Sequence, residues 1–191
     1  YRARFAYEHT PEFQAETLGR AVASTLATGK VQLVAWYRIH DLPANTQVIG
    51  DENNLRLGVL DESGRPKPAL RALDFFHQLF AGGFCCLDST TPEVRHIQSD
   101  SEAHVFEKSD GEEFVTAWLR TVTLSPTFAT SEDLRREKLT VVLADRCEQM
   151  SVYNELGFRE SIARLRKAGK NRKVLNIPLH GGELKVYGCE P

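Results

Sequence analysis

Apolar positions along this chain follow two rhythms, and the change between them falls near Gly83. In the first part the spacing is helical. Leu18, Ala21, Val22, Thr25 and Leu26 recur at i, i+3, i+4, i+7 and i+8, which predicts one apolar stripe on a helix. Thr10 is a good N-cap, Pro11 suits the first helical position, and Gly29 supplies a stop. Residues 31–36 (VQLVAW) are almost continuously apolar, the pattern of a strand covered on both faces, as in parallel α/β sheets and barrels. That strand ends in the pair Trp36-Tyr37, and Asp41 opens a polar loop. A short strand over 57–60, the turn Asp61-Glu62-Ser63-Gly64, and a helix opened by Pro66-Lys67-Pro68 follow. Ala69, Leu73, Phe76 and Phe80 share one side of this second helix, and Gly82-Gly83 ends it.

Beyond Gly83 the period becomes two. Residues 104–108 and 113–120 flank Ser109-Asp110-Gly111-Glu112, a strong hairpin signal. In the second of these strands Phe114, Thr116 and Trp118 share one face, and Val115, Ala117 and Leu119 share the other. Residues 139–143, 150–153, 174–179 and 184–187 are further strand candidates. Short strands at this density predict an antiparallel sandwich. Residues 121–136 form a long polar loop. A lone parallel strand has no ladder partner. Either the two helices pack on the sandwich as an α+β domain, or further barrel strands lie upstream.

Composition narrows the classes. The 191 residues are 41% hydrophobic and 26% charged, ordinary for a globular protein of one domain or two small ones. A formal net charge of −2 argues against general nucleic-acid binding, and no run of about 18 apolar residues suggests a membrane span. The segment 1–7 has no signal-peptide character, and compartment stays open. Cys85, Cys86, Cys147 and Cys189 contain no C-x-x-C pair, which suggests reduced thiols rather than a metal site. No G-x-S-x-G elbow, H-E-x-x-H or P-loop pattern occurs, and no cofactor is implied.

The order strand, Trp36-Tyr37, Asp41, loop, GVLDESGRPKPA (residues 58–69), helix resembles the last β/α unit of the catalytic barrel in clan A glycoside hydrolases. There the closing strand carries a Trp into the sugar site, and the chain returns through a similar PKPA segment. The helix over 11–28, with its Gln14-Ala15 pair, looks like the last-but-one barrel helix. Asp110-Gly111-Glu112 leading into Ala117-Trp118, and residues 152–157, look like the small β-sandwich that follows the barrel in several of these enzymes. The resemblance implies a fold that is α/β plus all-β. Residues 1–83 would be the C-terminal end of a (β/α)8, or TIM, barrel, and residues 84–191 a small antiparallel β-sandwich.

It also implies a retaining mechanism, in which one Glu protonates the leaving oxygen and another, about 5 Å away, attacks the anomeric carbon. The acid normally appears as Asn-Glu after the fourth strand. The Asn-Glu found here, Asn154-Glu155, falls inside the sandwich and does not transfer. Glu8 lies near the right helix, but YRARFAYEHT lacks the apolar strand that should precede a nucleophile. Both catalytic Glu residues are therefore expected upstream, with the remaining barrel strands of the same polypeptide, and this chain alone is expected to be inactive.

The candidate substrate-binding residues are Trp36, Tyr37 and Asp41. Trp36 could stack on a sugar ring or fill a core. Tyr37 could hydrogen-bond or pack behind it. Asp41 could accept from sugar hydroxyls or cap the following loop. Asp51, Glu52, Asn53 and Asn54 form a polar cluster, solvated or lining the cleft rim. His40 beside Asp41 is no catalytic pair, because neighbours on a strand point to opposite faces. Arg164, Arg166, Lys167, Lys170, Arg172 and Lys173 read as a solvated hairpin loop, or as a polyanion contact. The expected partner is a carbohydrate. The rival expectation is a non-catalytic β-sandwich that binds carbohydrate or another partner.

Overall fold

A computed structural model describes residues 10–48, 52–87, 101–119, 136–144, 148–180 and 183–189. Glu8, Asp51, Cys147 and nearly all of the expected loop over 121–136 lie outside the described residues.

Helix α1 spans Pro11–Ala27 and starts where its cap chemistry dictates, with Thr10 Oγ1 accepting from Phe13 N at 3.1 Å. Gly29 takes the left-handed φ of 63° just past its end. The buried face is Ala15, Leu18, Gly19, Val22 and Ala23, whereas Ala21 is exposed. The apolar stripe is thus rotated from the one that side-chain size alone predicts. The reason is close approach: a Cβ on Gly19 would lie 2.6 Å from Leu184 Cδ2 and 2.7 Å from Phe76 Cε2. Helix α2 spans Pro68–Leu79, buries Ala69, Ala72 and Phe76, and packs against α1.

Between the helices the chain departs from expectation. Residues 31–36 form no strand, and residues 31–35 are all exposed, Leu33 at 82%. A strand needs a ladder partner on at least one side. The nearest backbone, residues 57–60, meets this segment only after Trp36. There Val59 N donates to Arg38 O (3.2 Å), Leu60 N to Ile39 O (2.8 Å) and Asp41 N to Leu60 O (2.9 Å). Leu60 bridges His40 in parallel and Pro66 antiparallel, so the expected short strand is a pair of isolated bridges. A 3₁₀ helix over Glu52–Arg56 occupies most of the expected polar cluster. The turn forms as expected. Asp61 Oδ1 accepts from Ser63 N, Ser63 Oγ and Arg65 N at 2.8–2.9 Å, which holds its carboxyl below the usual range.

Among the described residues nine strands follow: β1 Phe84–Cys86, β2 Ser101–Lys108, β3 Glu113–Leu119, β4 Arg136–Ala144, β5 Gln149–Asn154, β6 Arg159–Arg164, β7 Arg166–Lys167, β8 Arg172–His180 and β9 Leu184–Cys189. They make a six-stranded sheet, β1-β2-β3-β9-β5-β6, and a three-stranded one, β4-β8-β7, all antiparallel. The β2–β3 hairpin closes at the predicted turn, with Glu107 opposite Glu113. Strands β1, β6 and β7 lie outside the sequence expectation. β6 and β7 are exposed on nearly every residue, so they carry no alternation to read.

The predicted parity of β3 sorts the core into two layers. Val115, Ala117 and Leu119 face the small sheet, packing with Val105, Leu139, Val141, Leu175 and Ile177 among others. Trp118 faces the helices, together with Leu184 and Val186 of β9 and Ala15, Leu18 and Phe76. The helices therefore cover the outer face of the six-stranded sheet, and one apolar cluster joins residues from both sides of Gly83. Ser24 Oγ of α1 also donates to Glu102 Oε1 of β2 at 2.9 Å. The cysteines bring a correction. Cys85 and Cys86 form no disulfide, as expected, but Cys189 is disulfide-bonded, which sequence spacing does not encode.

Candidate functional site

The residues singled out from sequence gather around one short piece of backbone, Leu57-Gly58. Trp36 is half-buried, packs against the α1/α2 cluster, and donates from Nε1 to Leu57 O at 3.3 Å. Asp41 is 6% exposed. Its Oδ1 accepts from Gly58 N at 2.8 Å, and both of its oxygens face Lys67 Nζ, at 3.1 and 3.3 Å. Lys67 Nζ also donates to Arg56 O at 2.8 Å. Asp41 therefore ties its own loop to the Arg56–Gly58 backbone and to the start of α2. Of the two roles its position allowed, these contacts make the loop tie.

Tyr37 behaves differently. It is 67% exposed, and the Arg38 guanidinium lies over its ring at 4.6 Å while hydrogen-bonding its hydroxyl. The Tyr37-Arg38 peptide is cis. Trp36 and Asp41 thus converge on one anchor, whereas the Tyr37 side chain lies exposed beside it. His40 is exposed and makes no pair with Asp41, whose carboxylate is engaged elsewhere.

Three residues of this arrangement escaped sequence reasoning. Gln14 Nε2 of α1 donates to both Leu57 O and Gly58 O at 3.0 Å, so the first helix holds the connection that leads into the second. Lys67 had been read only as part of a helix opening. Gly58 carried the one usable signal, a glycine inside a strand-like run, which marks close backbone approach. A Cβ there would sit 2.2 Å from Asp41 N and 2.4 Å from His40 C, both backbone atoms that cannot turn aside. Gly58→Ala is expected to cost about 3 kcal/mol, the upper end for overpacking, as read by urea unfolding. An unchanged unfolding midpoint would contradict the contact.

A second cluster of charge lies where α1 meets the sheet. Glu16 pairs with Arg20 at 3.2 Å, and Lys185 pairs with Glu160 at 2.6 Å and Glu183 at 3.4 Å. Burial disfavours the ionised form of Glu16 and raises its carboxyl to about 7 against the opposing pull of Arg20, with Glu155 and Glu183 adding repulsion. Burial likewise raises Glu155. Asn154 caps the turn that contains Glu155, its Oδ1 accepting from Leu156 N (3.1 Å) and Phe158 N (3.0 Å). Among the described residues no group of three or more His, Cys, Asp or Glu is placed to hold a metal ion. No described helix is long and apolar enough to cross a membrane.

No family model and no curated protein matches the chain. Solved structures do. A family 39 glycoside hydrolase from the gut symbiont Bacteroides cellulosilyticus WH2 aligns over 92% of this chain and 30% of its own, at 16% identity and a TM-score of 0.57. A family 30 subfamily 8 xylanase, Xyn30A, from Clostridium acetobutylicum aligns over 100% and 41%, at 11% identity and a TM-score of 0.56. A family 30 endoxylanase from Clostridium papyrosolvens C71 aligns over 93% and 38%, at 9% identity and a TM-score of 0.51. At these identities the likeness is one of fold. The chain spans less than half the length of each, so its mostly antiparallel architecture corresponds to a part of these glycoside hydrolases.

Proposed function

We propose that this chain is the C-terminal portion of a retaining clan A glycoside hydrolase: the last β/α unit of a TIM barrel with its trailing β-sandwich. One observation carries the reading. Residues 31–36 have the composition of a strand buried on both faces, yet Val31, Leu33 and Val34 are exposed at 37%, 82% and 37%. Preceding barrel strands of the same polypeptide would pair with this segment and cover it. That an alignment over nearly this whole chain spans only 30–41% of the neighbours' chains supports the same reading.

In the intact enzyme two upstream Glu residues would cleave an O-glycosidic bond by double displacement. The residues here would shape the sugar site. Trp36 and Tyr37 would meet the sugar with ring faces, while Asp41, Lys67 and Gln14 would hold the loop that presents them. The chain alone is proposed to be inactive. The rival, a freestanding sandwich that binds sugar, would need an accessible aromatic platform on its sheets. Trp118, the tryptophan of those strands, is 3% exposed beneath the helices.

The test is to read the coding DNA upstream of the Tyr1 codon. The expected result is a continuing frame with further βα units, an Asn-Glu after one strand and a strand-end Glu shortly before Tyr1. A start codon immediately before Tyr1 would overturn the hydrolase reading. Independently, the isolated chain should bind a hydrophobic dye through residues 31–35, and absence of dye binding would count against a covered strand.

A further inference from the structure

We infer that the β7–β8 hairpin, with the adjoining outer face of the small sheet, is a docking surface for a carboxylate-bearing polysaccharide. The choice of a polysaccharide rests on the function proposed above; the choice of negative charge rests on the surface itself. No Asp or Glu occurs between Glu160 and Glu183, in a chain where acids outnumber bases, 26 to 24. The same stretch holds Arg164, Arg166, Lys167, Lys170 and Arg172, all exposed.

Strand geometry gathers these charges rather than scattering them. Leu165 turns into the core between the sheets, so Arg164 and Arg166 on either side of it point to solvent. In β8, Leu175, Ile177 and Leu179 are buried, which puts Arg172, Val174 and Asn176 on the outer face. Arg166 pairs with Val174, so it is a diagonal neighbour of Arg172 on that face, roughly 7–8 Å away. Lys167 and Lys170 flank the turn, where Asn171 and Gly169 both take positive φ. Lys173 is the exception in the run. It is 2% exposed and bound at 2.7 Å to Glu148, whose side chain is 84% exposed, so this acid beside the hairpin is matched by a buried lysine.

The chemistry fits carboxylates on a repeating polymer. The Arg164 and Arg166 guanidiniums each present a planar fork that matches a carboxylate bidentately, and the lysines add point charge. A nucleic acid fits less well, because single strands need aromatic faces on which bases stack. The exposed aromatics among the described residues are Tyr37, under Arg38, and Phe158, under Arg71 at 3.8 Å; neither lies on the hairpin. The outer face instead offers small polar and apolar side chains, with Thr140 Oγ1 bonded across to Asn176 Oδ1 at 3.1 Å. A sugar chain can lie flat on such a face.

The test measures binding of the 191-residue chain to polygalacturonate, with dextran as the uncharged control and a dT oligonucleotide as the competing anion. The expected result is binding to polygalacturonate and not to dextran, lost at about 1 M salt, where screening acts within about 3 Å. Replacing Arg164, Arg166, Lys167 and Lys170 together with Gln should weaken it about tenfold or more while leaving the melting temperature unchanged. No binding to polygalacturonate, equal binding by the variant, or equal binding to the oligonucleotide would overturn the inference. A continuing upstream frame without polygalacturonate binding would sink this inference alone. Polygalacturonate binding with a start codon before Tyr1 would keep the surface and remove the hydrolase.

Discussion

Phe76→Ala is expected to cost about 3–5 kcal/mol and to loosen helices and sheet in one transition. Phe76 is 1% exposed and stands where three elements meet. Its ring lies edge-on to Phe75 at 5.4 Å and stacked on Phe80 at 6.3 Å, and it fills the space that Gly19 leaves open on α1. The same cluster includes Leu184 and Val186 of β9 and Trp118 of β3. Truncation removes the ring from this seam, and Gly19 has no side chain to move into the void. Both tryptophans border the seam, Trp118 within the cluster and Trp36 packed against it, so their fluorescence reports on it directly. Far-UV circular dichroism reports on the two sheets. The two signals should coincide in the parent and in the variant, at a lower denaturant concentration in the latter. An early fluorescence transition with the sheet signal unmoved would show the helices to be a separable layer on an autonomous sandwich.

The second large effect is electrostatic. Stability should fall by about 3 kcal/mol as pH rises from 4.5 to 7 through Glu16, and Glu16→Gln should remove most of that decline. In the unfolded chain the Glu16 carboxyl titrates near its ordinary 4.5; in the folded chain burial holds it up to about 7. Below the lower value both states are protonated, and the contribution of Glu16 is fully present. Within the window the folded state keeps its proton and the unfolded state releases it, so each step up in pH favours unfolding. Above about 7 the loss is complete and the curve flattens. The facing charges are Arg20 on α1 itself, Glu155 after β5, and Glu183 and Lys185 on the β9 side. Glu155, also raised, keeps a residual slope of the same sign in the variant. Urea unfolding of parent and variant at four pH values across the window decides the matter, and parallel curves would rule out the buried-carboxyl account.

Much of the fold was legible because local chemistry and tertiary structure agree in those places. Thr10 caps α1, Asp61 organises its turn, and Asp110-Gly111 closes the β2–β3 hairpin. The alternation in β3 correctly assigned Trp118 to one layer and Val115 to the other. Legibility stopped where a residue's role depends on its neighbours in space. The buried face of α1 follows Gly19, whose importance is the absence of a side chain. Strands β6 and β7 are exposed edges without alternation, which period-two reasoning cannot detect. Residues 31–36 have the composition of a buried strand but no ladder partner among the described residues. At the candidate site the sequence pointed to Trp36, Tyr37 and Asp41. The anchor at Leu57-Gly58 that Trp36 and Asp41 share, and the hold of Gln14 on it from a helix some 40 residues earlier, exist only after folding.

The position of β9 has a consequence for how this architecture is made. It follows the eight other described strands, yet it stands third from one end of the six-stranded sheet, between β3 and β5. On an emerging polypeptide, β1-β2-β3 and β5-β6 can each pair locally, but they remain two half-sheets until β9 slides between them. Through synthesis their inner faces, and the surface meant for α1, stay open to water and to other chains. A ribosome that stalls or stops anywhere before Leu184 would release two sticky halves rather than a slightly shortened domain. The late arrival of this central strand makes it the keystone of the sheet.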